Sequence, residues 1–473
     1  MAKPTAFYQA TFIITVILSS SFSAHAASPA SVTSNGDPIF WGSNPSINYH
    51  PESGTCSHFS NLEMLTLLDS YIGLWDDLSE VDLSIAAVTE SLTDINGDNY
   101  ETYLYTGSGT TTNELTLTDG LNPVAFDDDG EITAAYAGET NADNILGFAG
   151  PTSYDIGTGE ISDGLAVLNC SCVENHPTLS PCSFDVTEDM LGATITHEIG
   201  HFLGLDHSQV NSDLYDNGDD TDDSDLPIMF PLAISTEVAV TPTTEDKQSL
   251  AQLYASSAYT SENCLVTGTL LDADGNSLRC ADVQAVPSDI SNTVAFVSGA
   301  LAAAEDQNDD GDTVDDGECN SGCGEFQLYL TPGTDYTITV MPINSAFTSG
   351  SSLSPCFNEQ LDTIEEEAIL EISGVDCEAG QTSDIGNLQT TSTGGTSDGD
   401  SQTTDSGDSS SDSSGSGGGS FESAENPIGY LCSLQPTGST QPYSNRMIVI
   451  FFFTTLLPFV VMRLRHPSKP SNS

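Results

Sequence analysis

The sequence predicts a mixed α+β unit followed by an all-β unit, and three observations support this order. Residues 34–257 combine two amphipathic helical patterns with alternating segments, which predicts a twisted mixed sheet backed by helices. Residues 262–388 contain short alternating or β-branched runs between turn signals, which is typical of an antiparallel β-sandwich. Residues 390–445 begin with a long Ser/Thr/Gly/Asp-rich stretch that is nearly devoid of apolar residues, which predicts a disordered acidic stalk.

The helices of the first unit are predicted from capping residues and an apolar face. Ser60 and Glu63 have the spacing of a capping box, and apolar residues recur at helical intervals as far as Trp75. Asp185 and Glu188 have the same spacing ahead of a second apolar face. Residues 81–85 alternate between apolar and polar positions, which predicts a strand between the two helices.

The strands of the second unit are predicted from five runs: Cys264–Leu271, Val283–Val286, Thr293–Val297, Phe326–Leu330 and Tyr336–Val340. Turn signals such as Asp274-Gly275 and Pro332-Gly333 separate them. Because this unit shows no catalytic constellation of side chains, we expect it to be a spacer or a binding module.

Both ends of the chain carry apolar segments that predict export. Residues 1–26 have a lysine, an apolar run and small residues at a cleavage position, which is the pattern of a signal peptide. Residues 447–462 form a second apolar run with arginines after it, which predicts a hydrophobic helix, either retained as a transmembrane anchor or removed as a sorting signal. Because basic flanks favour the cytoplasmic side, we expect everything before this segment to lie outside the cytoplasm.

The charge balance excludes some classes of partner. The chain has 7 Lys+Arg against 70 Asp+Glu, so its surface repels nucleic acid and anionic lipid headgroups. Contact with a membrane is therefore expected only through residues 447–462. The sequence predicts no oligomeric state.

The cysteines also indicate an exported protein. All 11 lie between the two apolar ends, in the part of the chain where disulfide bonds can form. Their pairing does not follow from the sequence. Because the number is odd, one thiol is left free or intermolecular, and Cys432, which stands alone in the tail, is the candidate.

An acidic segment of the second unit is a candidate calcium site. Asp306, Asn308, Asp310 and Asp312 alternate around a glycine in the way that calcium-binding loops place their oxygen ligands. The pattern departs from an EF-hand because Gly317 stands at the twelfth position, where an acidic ligand is required. Residues 94–98 form a second, shorter candidate loop.

The most informative segment is His197–His207, which has the pattern H-E-x-x-H-x-x-G-x-x-H. On a helix, His197 and His201 project from the same face, one turn apart. A glycine at Gly204 lets the helix end, so that His207 can turn back as a third ligand. Three imidazoles leave the fourth position of a zinc ion open for water, and Glu198 is placed to act as its general base.

With Ser208, this segment resembles the zinc-binding consensus of the metzincin endopeptidases, most closely the matrixin-like branch of bacterial type. The segment Leu226–Pro231 resembles the methionine turn of that clan, which makes Met229 the floor of the zinc site. The resemblance covers roughly residues 37–255 and implies the metzincin fold for the α+β unit. More weakly, residues 266–275 resemble the transthyretin-like, carboxypeptidase-regulatory-like sandwich.

The resemblance implies an exported zinc metalloendopeptidase. It would hydrolyse peptide bonds of extracellular or cell-surface proteins, using zinc-bound water that Glu198 activates. The acidic insertion at residues 213–225 departs from the family, and we expect it to border the cleft or to bind calcium. The alternative is a calcium-dependent surface adhesin whose protease-like domain binds without catalysing.

Overall fold

A computed structural model describes residues 28–33, 35–89, 91–104, 120–138, 142–179, 185–217, 221–232, 240–302, 322–343, 370–375, 377–390 and 430–433. The helices are α1 (Asn61–Asp76), α2 (Tyr100–Tyr103), α3 (Glu131–Ala137), α4 (Glu188–Phe202), α5 (Thr244–Tyr254) and α6 (Ser257–Glu262). The strands of the first unit are β1 (Ser46–Pro51), β2 (Ser84–Ala87), β3 (Pro123–Asp127), β4 (Ile145–Tyr154) and β5 (Ile161–Asn169). The later strands are β6 (Cys264–Leu271), β7 (Ala281–Val286), β8 (Val294–Val297), β9 (Glu325–Leu330), β10 (Tyr336–Pro342), β11 (Leu370–Val375), β12 (Thr382–Gln389) and β13 (Tyr430–Ser433).

The first sheet is mixed, with the strand order β13-β4-β5-β3-β1-β2. Strands β2, β1, β3 and β5 pair in parallel, whereas β4 pairs antiparallel with β5. Alternate residues of β3 enter different cores, since Val124 and Phe126 face one hydrophobic cluster and Ala125 another. Helices combined with a mixed sheet confirm the predicted α+β class for this part of the chain.

Helices α1 and α4 pack together and contribute to the largest hydrophobic cluster among the described residues of this unit. The Trp75 indole of α1 is fully buried and donates a hydrogen bond to the Thr196 carbonyl of α4 (2.8 Å). The predicted capping box of α1 is confirmed, because the Glu63 carboxylate accepts a hydrogen bond from the Ser60 backbone N–H (2.8 Å). A fully satisfied indole at this contact fixes the position of α4 relative to α1.

The predicted capping box of α4 is wrong. The helix begins at Glu188 and its N-cap is Thr187, whose hydroxyl accepts a hydrogen bond from the Met190 N–H (3.3 Å). Asp185 lies two residues too early to reach the first turn. Both residues are common N-caps, and the extended backbone of Thr187 decides between them.

The later strands form two sheets that share one hydrophobic core, with the orders β11-β10-β7-β8 and β12-β6-β9. The five predicted runs coincide with β6, β7, β8, β9 and β10 to within two residues. The expectation of a fully antiparallel arrangement is wrong at one pair, because β12 runs parallel to β6. A disulfide between Cys264 and Cys377 joins the start of β6 to the residues just before β12. The beginnings of the two strands are thus held at the same end of the sheet, as in a parallel pair.

The two units are in direct contact through α5. The Glu245 carboxylate accepts a hydrogen bond from the Ala295 N–H of β8 (2.8 Å), and the Gln327 amide donates to Gln252 (2.8 Å). Val210, which follows the histidine motif, is buried in the core of the second unit. The second unit is therefore packed against the segment that carries the candidate site.

The N-terminal arm, residues 28–33, runs along this contact. Ser28 is 2% exposed, and its carbonyl accepts a hydrogen bond from the Asp206 N–H (2.9 Å). The Ser28 hydroxyl accepts a hydrogen bond from the Val297 N–H (3.2 Å). The arm thus bonds to both units.

Disulfide bonds are present, as predicted for an exported chain. In addition to the bond in the second unit, Cys56 and Cys170 are joined in the first. Cys172, Cys280 and Cys323 are also disulfide-bonded.

Several predicted segments lie outside the described residues, namely 1–26, 447–462 and most of 390–445. No helix in the part of the chain that the structure describes is long and apolar enough to cross a membrane.

Glu52 is a fully buried carboxyl group at the end of β1. It accepts hydrogen bonds from the backbone N–H groups of Phe126 (2.6 Å) and Ile95. Burial raises the pKa of Glu52 to about 8, and the nearby charges of Asp94 and Asp127 act in the same direction. The folded state therefore holds a proton on Glu52 at pH values where the unfolded chain has released it.

This burial predicts a pH-dependent stability. Since the folded pKa of Glu52 lies above the unfolded value, its contribution to the free energy of unfolding falls by about 1.4 kcal/mol per pH unit as the pH rises from about 5 to about 8. We expect Glu52→Gln to flatten this part of the stability–pH curve, measured by chemical denaturation at a series of pH values. The exposed Glu101→Gln is the matched control. Parallel curves for wild type and Glu52→Gln would contradict the prediction.

Candidate metal centre

His197, His201 and His207 converge in the interior of the first unit, and we call them the histidine cluster. The Nε2 atom of His201 lies 3.0 Å from the Nε2 atoms of both His197 and His207. Two nitrogens bound to one tetrahedral zinc ion at about 2.05 Å would lie about 3.3 Å apart. The spacing of the three nitrogens thus fits a shared metal ion.

The local chain geometry brings the three imidazoles together. Helix α4 carries His197 and His201 one turn apart and ends at Phe202. Gly204 then adopts a φ of 98°, and a Cβ atom there would lie 2.8 Å from the Ile39 carbonyl oxygen. A residue with a side chain would be strained at this turn. The turn returns the chain toward α4 and places His207 opposite His201.

Backbone carbonyls fix the orientation of two of the rings. The Nδ1 atom of His197 lies 2.7 Å from the Ile228 oxygen, and that of His201 lies 2.8 Å from the Leu205 oxygen. Because a carbonyl only accepts, each Nδ1 carries the proton and each Nε2 presents its lone pair to the cluster. This is the tautomer that a histidine adopts when Nε2 binds a metal.

Burial keeps the histidine cluster uncharged. It lowers the pKa of His197 to about 4, and it lowers the pKa of His201 and His207 well below the usual value. The neighbouring imidazoles lower the pKa of His201 and His207 further by charge repulsion. Neutral imidazoles are the form that binds metal ions, so the buried cluster could hold one.

Glu198 follows the first histidine and is fully buried. Neither of its carboxylate oxygens has a hydrogen-bond partner among the described residues. Burial raises the pKa of the Glu198 carboxyl well above its usual range. A buried carboxyl group without a partner is costly to keep, and a cation held by the three neutral imidazoles would offset that cost and favour the charged form of Glu198.

Met229 was predicted to form the floor of the site, and we call its segment, Leu226–Pro231, the methionine turn. Met229 is 0% exposed, and a Cβ atom on Gly200 of α4 would overlap with its sulfur. Its carbonyl accepts a hydrogen bond from the Ser208 N–H (2.8 Å), just after the third histidine. Met229 thus packs beneath α4 as hydrophobic support.

The sequence gives no direct indication of a further residue that supports the site, Asp246 of α5. This fully buried carboxylate accepts hydrogen bonds from the backbone N–H groups of Ile228 (2.9 Å), Met229 (3.0 Å) and Thr243 (2.7 Å). The Ile228 carbonyl in turn accepts from the His197 ring. Asp246 therefore positions a histidine of the cluster through the methionine turn. The one sequence feature that could have drawn attention to Asp246 is its capping-box spacing with Thr243.

The other predicted ligands are the candidate calcium ligands of two acidic segments. Asp306, Asn308, Asp310 and Asp312 lie outside the described residues. In the second candidate loop, the Asn96 amide oxygen accepts a hydrogen bond from the Asp98 N–H (3.1 Å). Of the residues with described positions, only the histidine cluster brings together three or more His, Cys, Asp or Glu ligand atoms closely enough for a metal.

The acidic insertion is described at 213–217 and 221–225. It forms two short 3-10 helices, Leu214–Asp216 and Asp223–Asp225. A small hydrophobic cluster lies at the two ends of the insertion and just beyond it, consisting of Leu214, Tyr215, Leu226, Phe230 and Leu232. The insertion is thus attached to the methionine turn by apolar packing.

No protein-family model matches the chain, and no curated protein matches it significantly.

Proposed function

We propose that this chain is an exported zinc-dependent endopeptidase that hydrolyses peptide bonds of extracellular or cell-surface proteins. The observation that supports it most strongly is the convergence of three buried, neutral imidazoles beside a buried carboxylate without a partner among the described residues. The matrixin-like sequence pattern and the position of Met229 beneath α4 support the same proposal.

The ligand set favours zinc over the hard cations. Calcium and magnesium prefer oxygen ligands, whereas three imidazole nitrogens suit zinc. Catalytic zinc sites typically have three protein ligands, in contrast to the four of a structural site. His197, His201 and His207 would hold the ion through their Nε2 atoms.

When bound, zinc would polarise the peptide carbonyl and make a water molecule more acidic. Glu198 would accept the proton of the attacking water and later donate it to the leaving nitrogen. The carbonyls of Ile228 and Leu205 would keep the His197 and His201 rings oriented throughout. Asp246 would hold the methionine turn in place below them.

Metal removal tests this function directly. We expect the purified exported chain to cleave an unfolded protein substrate, to lose this activity with a chelator, and to regain it with about one equivalent of Zn²⁺. The zinc content of the chain, measured by elemental analysis, should fall with the activity after chelation and recover with it after zinc is added. Undiminished cleavage without metal, or recovery with Ca²⁺ alone, would contradict the proposal.

The calcium-dependent adhesin stays a prediction. Its candidate loop at 306–312 lies outside the described residues, and nothing in the described part favours it. Export and anchoring by residues 447–462 are likewise parts of the proposal that rest on the sequence.

A further inference from the structure

The chain's own tail occupies the outer edge of the first sheet. Strand β13 pairs antiparallel with β4, and the paired positions are Tyr430 with Ala149, Leu431 with Phe148 and Cys432 with Gly147. In the strand order of this sheet, β13 stands outside β4. The backbone N–H and C=O groups on this edge of β4 are therefore used by a segment almost three hundred residues later in the chain.

This edge lies directly beside the candidate site. A Cβ atom on Gly147 would lie 3.0 Å from the Glu198 carboxylate, so β4 and the proposed general base are in contact at Gly147. Strand β13 also contacts α4, the helix that carries Glu198 and two of the histidines. The residue of the tail that is paired with Gly147 is Cys432. The tail thus passes the site at the position where β4 approaches Glu198.

An extended polypeptide binds a sheet edge through its backbone, as an added strand. A protein substrate whose peptide bond must reach Glu198 can use the same edge of β4, and β13 already fills it. We propose that residues 430–433 form an intramolecular inhibitory strand, which must leave β4 before a polypeptide substrate can bind there. This inference rests on the proposed peptidase function.

Strand β13 is short, but its covalent connection to the rest of the chain lets it compete with a substrate for the edge of β4. Four residues of pairing would bind weakly as a separate peptide, but the segment is tethered to the sheet it occupies. Tethering turns the pairing of β13 into an intramolecular event, and the glycine- and serine-rich composition of residues 391–429 is typical of a flexible linker. Because β13 competes with the substrate for β4, it raises the KM for a polypeptide substrate. It leaves kcat unchanged, because it does not alter the reacting groups.

Proline substitutions in β13 provide the test. Successive N–H groups of a strand point to opposite sides, so one of Leu431→Pro and Cys432→Pro removes a ladder hydrogen bond to β4. We expect that variant of the full exported chain to cleave an unstructured fluorogenic peptide with a KM about tenfold lower and an unchanged kcat. Ser413→Pro, outside the paired strand, is the matched control and should behave as wild type.

Hydrogen exchange of the amides in residues 145–149 gives a readout that does not depend on cleavage. We expect faster exchange in the proline variant than in the control. Faster exchange with an unchanged KM would overturn the inhibitory role and leave the peptidase function intact. Unchanged exchange in both proline variants would show that the strand does not dock, which overturns the inference. If no form of the chain cleaves any peptide, the peptidase proposal fails and the inhibitory role fails with it.

Discussion

Replacing Glu198 with glutamine is expected to lower kcat/KM for peptide cleavage by a factor of about 10²–10⁴, while the chain keeps its bound metal. Glutamine has nearly the same volume, so the buried position stays filled. Glutamine cannot take a proton from water at neutral pH. A lower kcat/KM with unchanged metal content therefore reports the loss of proton transfer and not a loss of metal binding. Initial rates on an unstructured peptide and elemental analysis of the same sample provide the measurement.

Glu188→Gln is the matched control for this variant, because Glu188 is exposed in the first turn of the same helix. We expect it to retain full activity. If Glu198→Gln cleaved the peptide as fast as wild type, Glu198 would not be the general base. If neither wild type nor variant cleaved while both held zinc, the site would be a binding site only.

Replacing Asp246 with asparagine is expected to lower the free energy of unfolding by about 3–5 kcal/mol. Three backbone N–H groups converge on this carboxylate, and the amide of asparagine would point its own N–H groups at one or more of these donors. The Ile228 carbonyl would shift with the methionine turn and loosen the His197 ring, so we also expect zinc affinity to fall by about 10–100-fold. Chemical denaturation and competition with a chromogenic chelator measure the two effects.

Asp189→Asn is the matched control, since this aspartate is exposed in the first turn of α4. We expect it to change the free energy of unfolding by less than about 0.5 kcal/mol. A destabilised Asp246→Asn chain with unchanged zinc affinity would restrict Asp246 to a structural role. Wild-type stability would contradict the prediction altogether.

The site could be predicted where its geometry is local. His197, His201 and Gly204 lie on one helix and at its end. The convergence of the three imidazoles can therefore be predicted from the sequence alone. The same holds for α1, where Ser60 and Glu63 act within a single turn. Such contacts depend on backbone periodicity, which a sequence pattern expresses directly.

The contacts that depend on tertiary packing could not be predicted. Asp246 follows Ile228 by eighteen residues, and only the packing of α5 against the methionine turn shows that its carboxylate accepts from that turn. Glu52 looks like an ordinary acidic residue, yet it is fully buried between β3 and the loop at Ile95. The pairing of Leu431 with Phe148 joins segments whose sequences give no sign of each other.

The N-terminal arm has a consequence for the order in which the chain folds. Ser28 is synthesised well before its partner Val297, which lies 269 residues further along the chain. The arm cannot reach its final position until the second unit has emerged and β8 has formed. Contacts between such distant segments close slowly, because a long loop must be ordered before they form. Completion of the native structure is therefore a late event that follows the formation of β8.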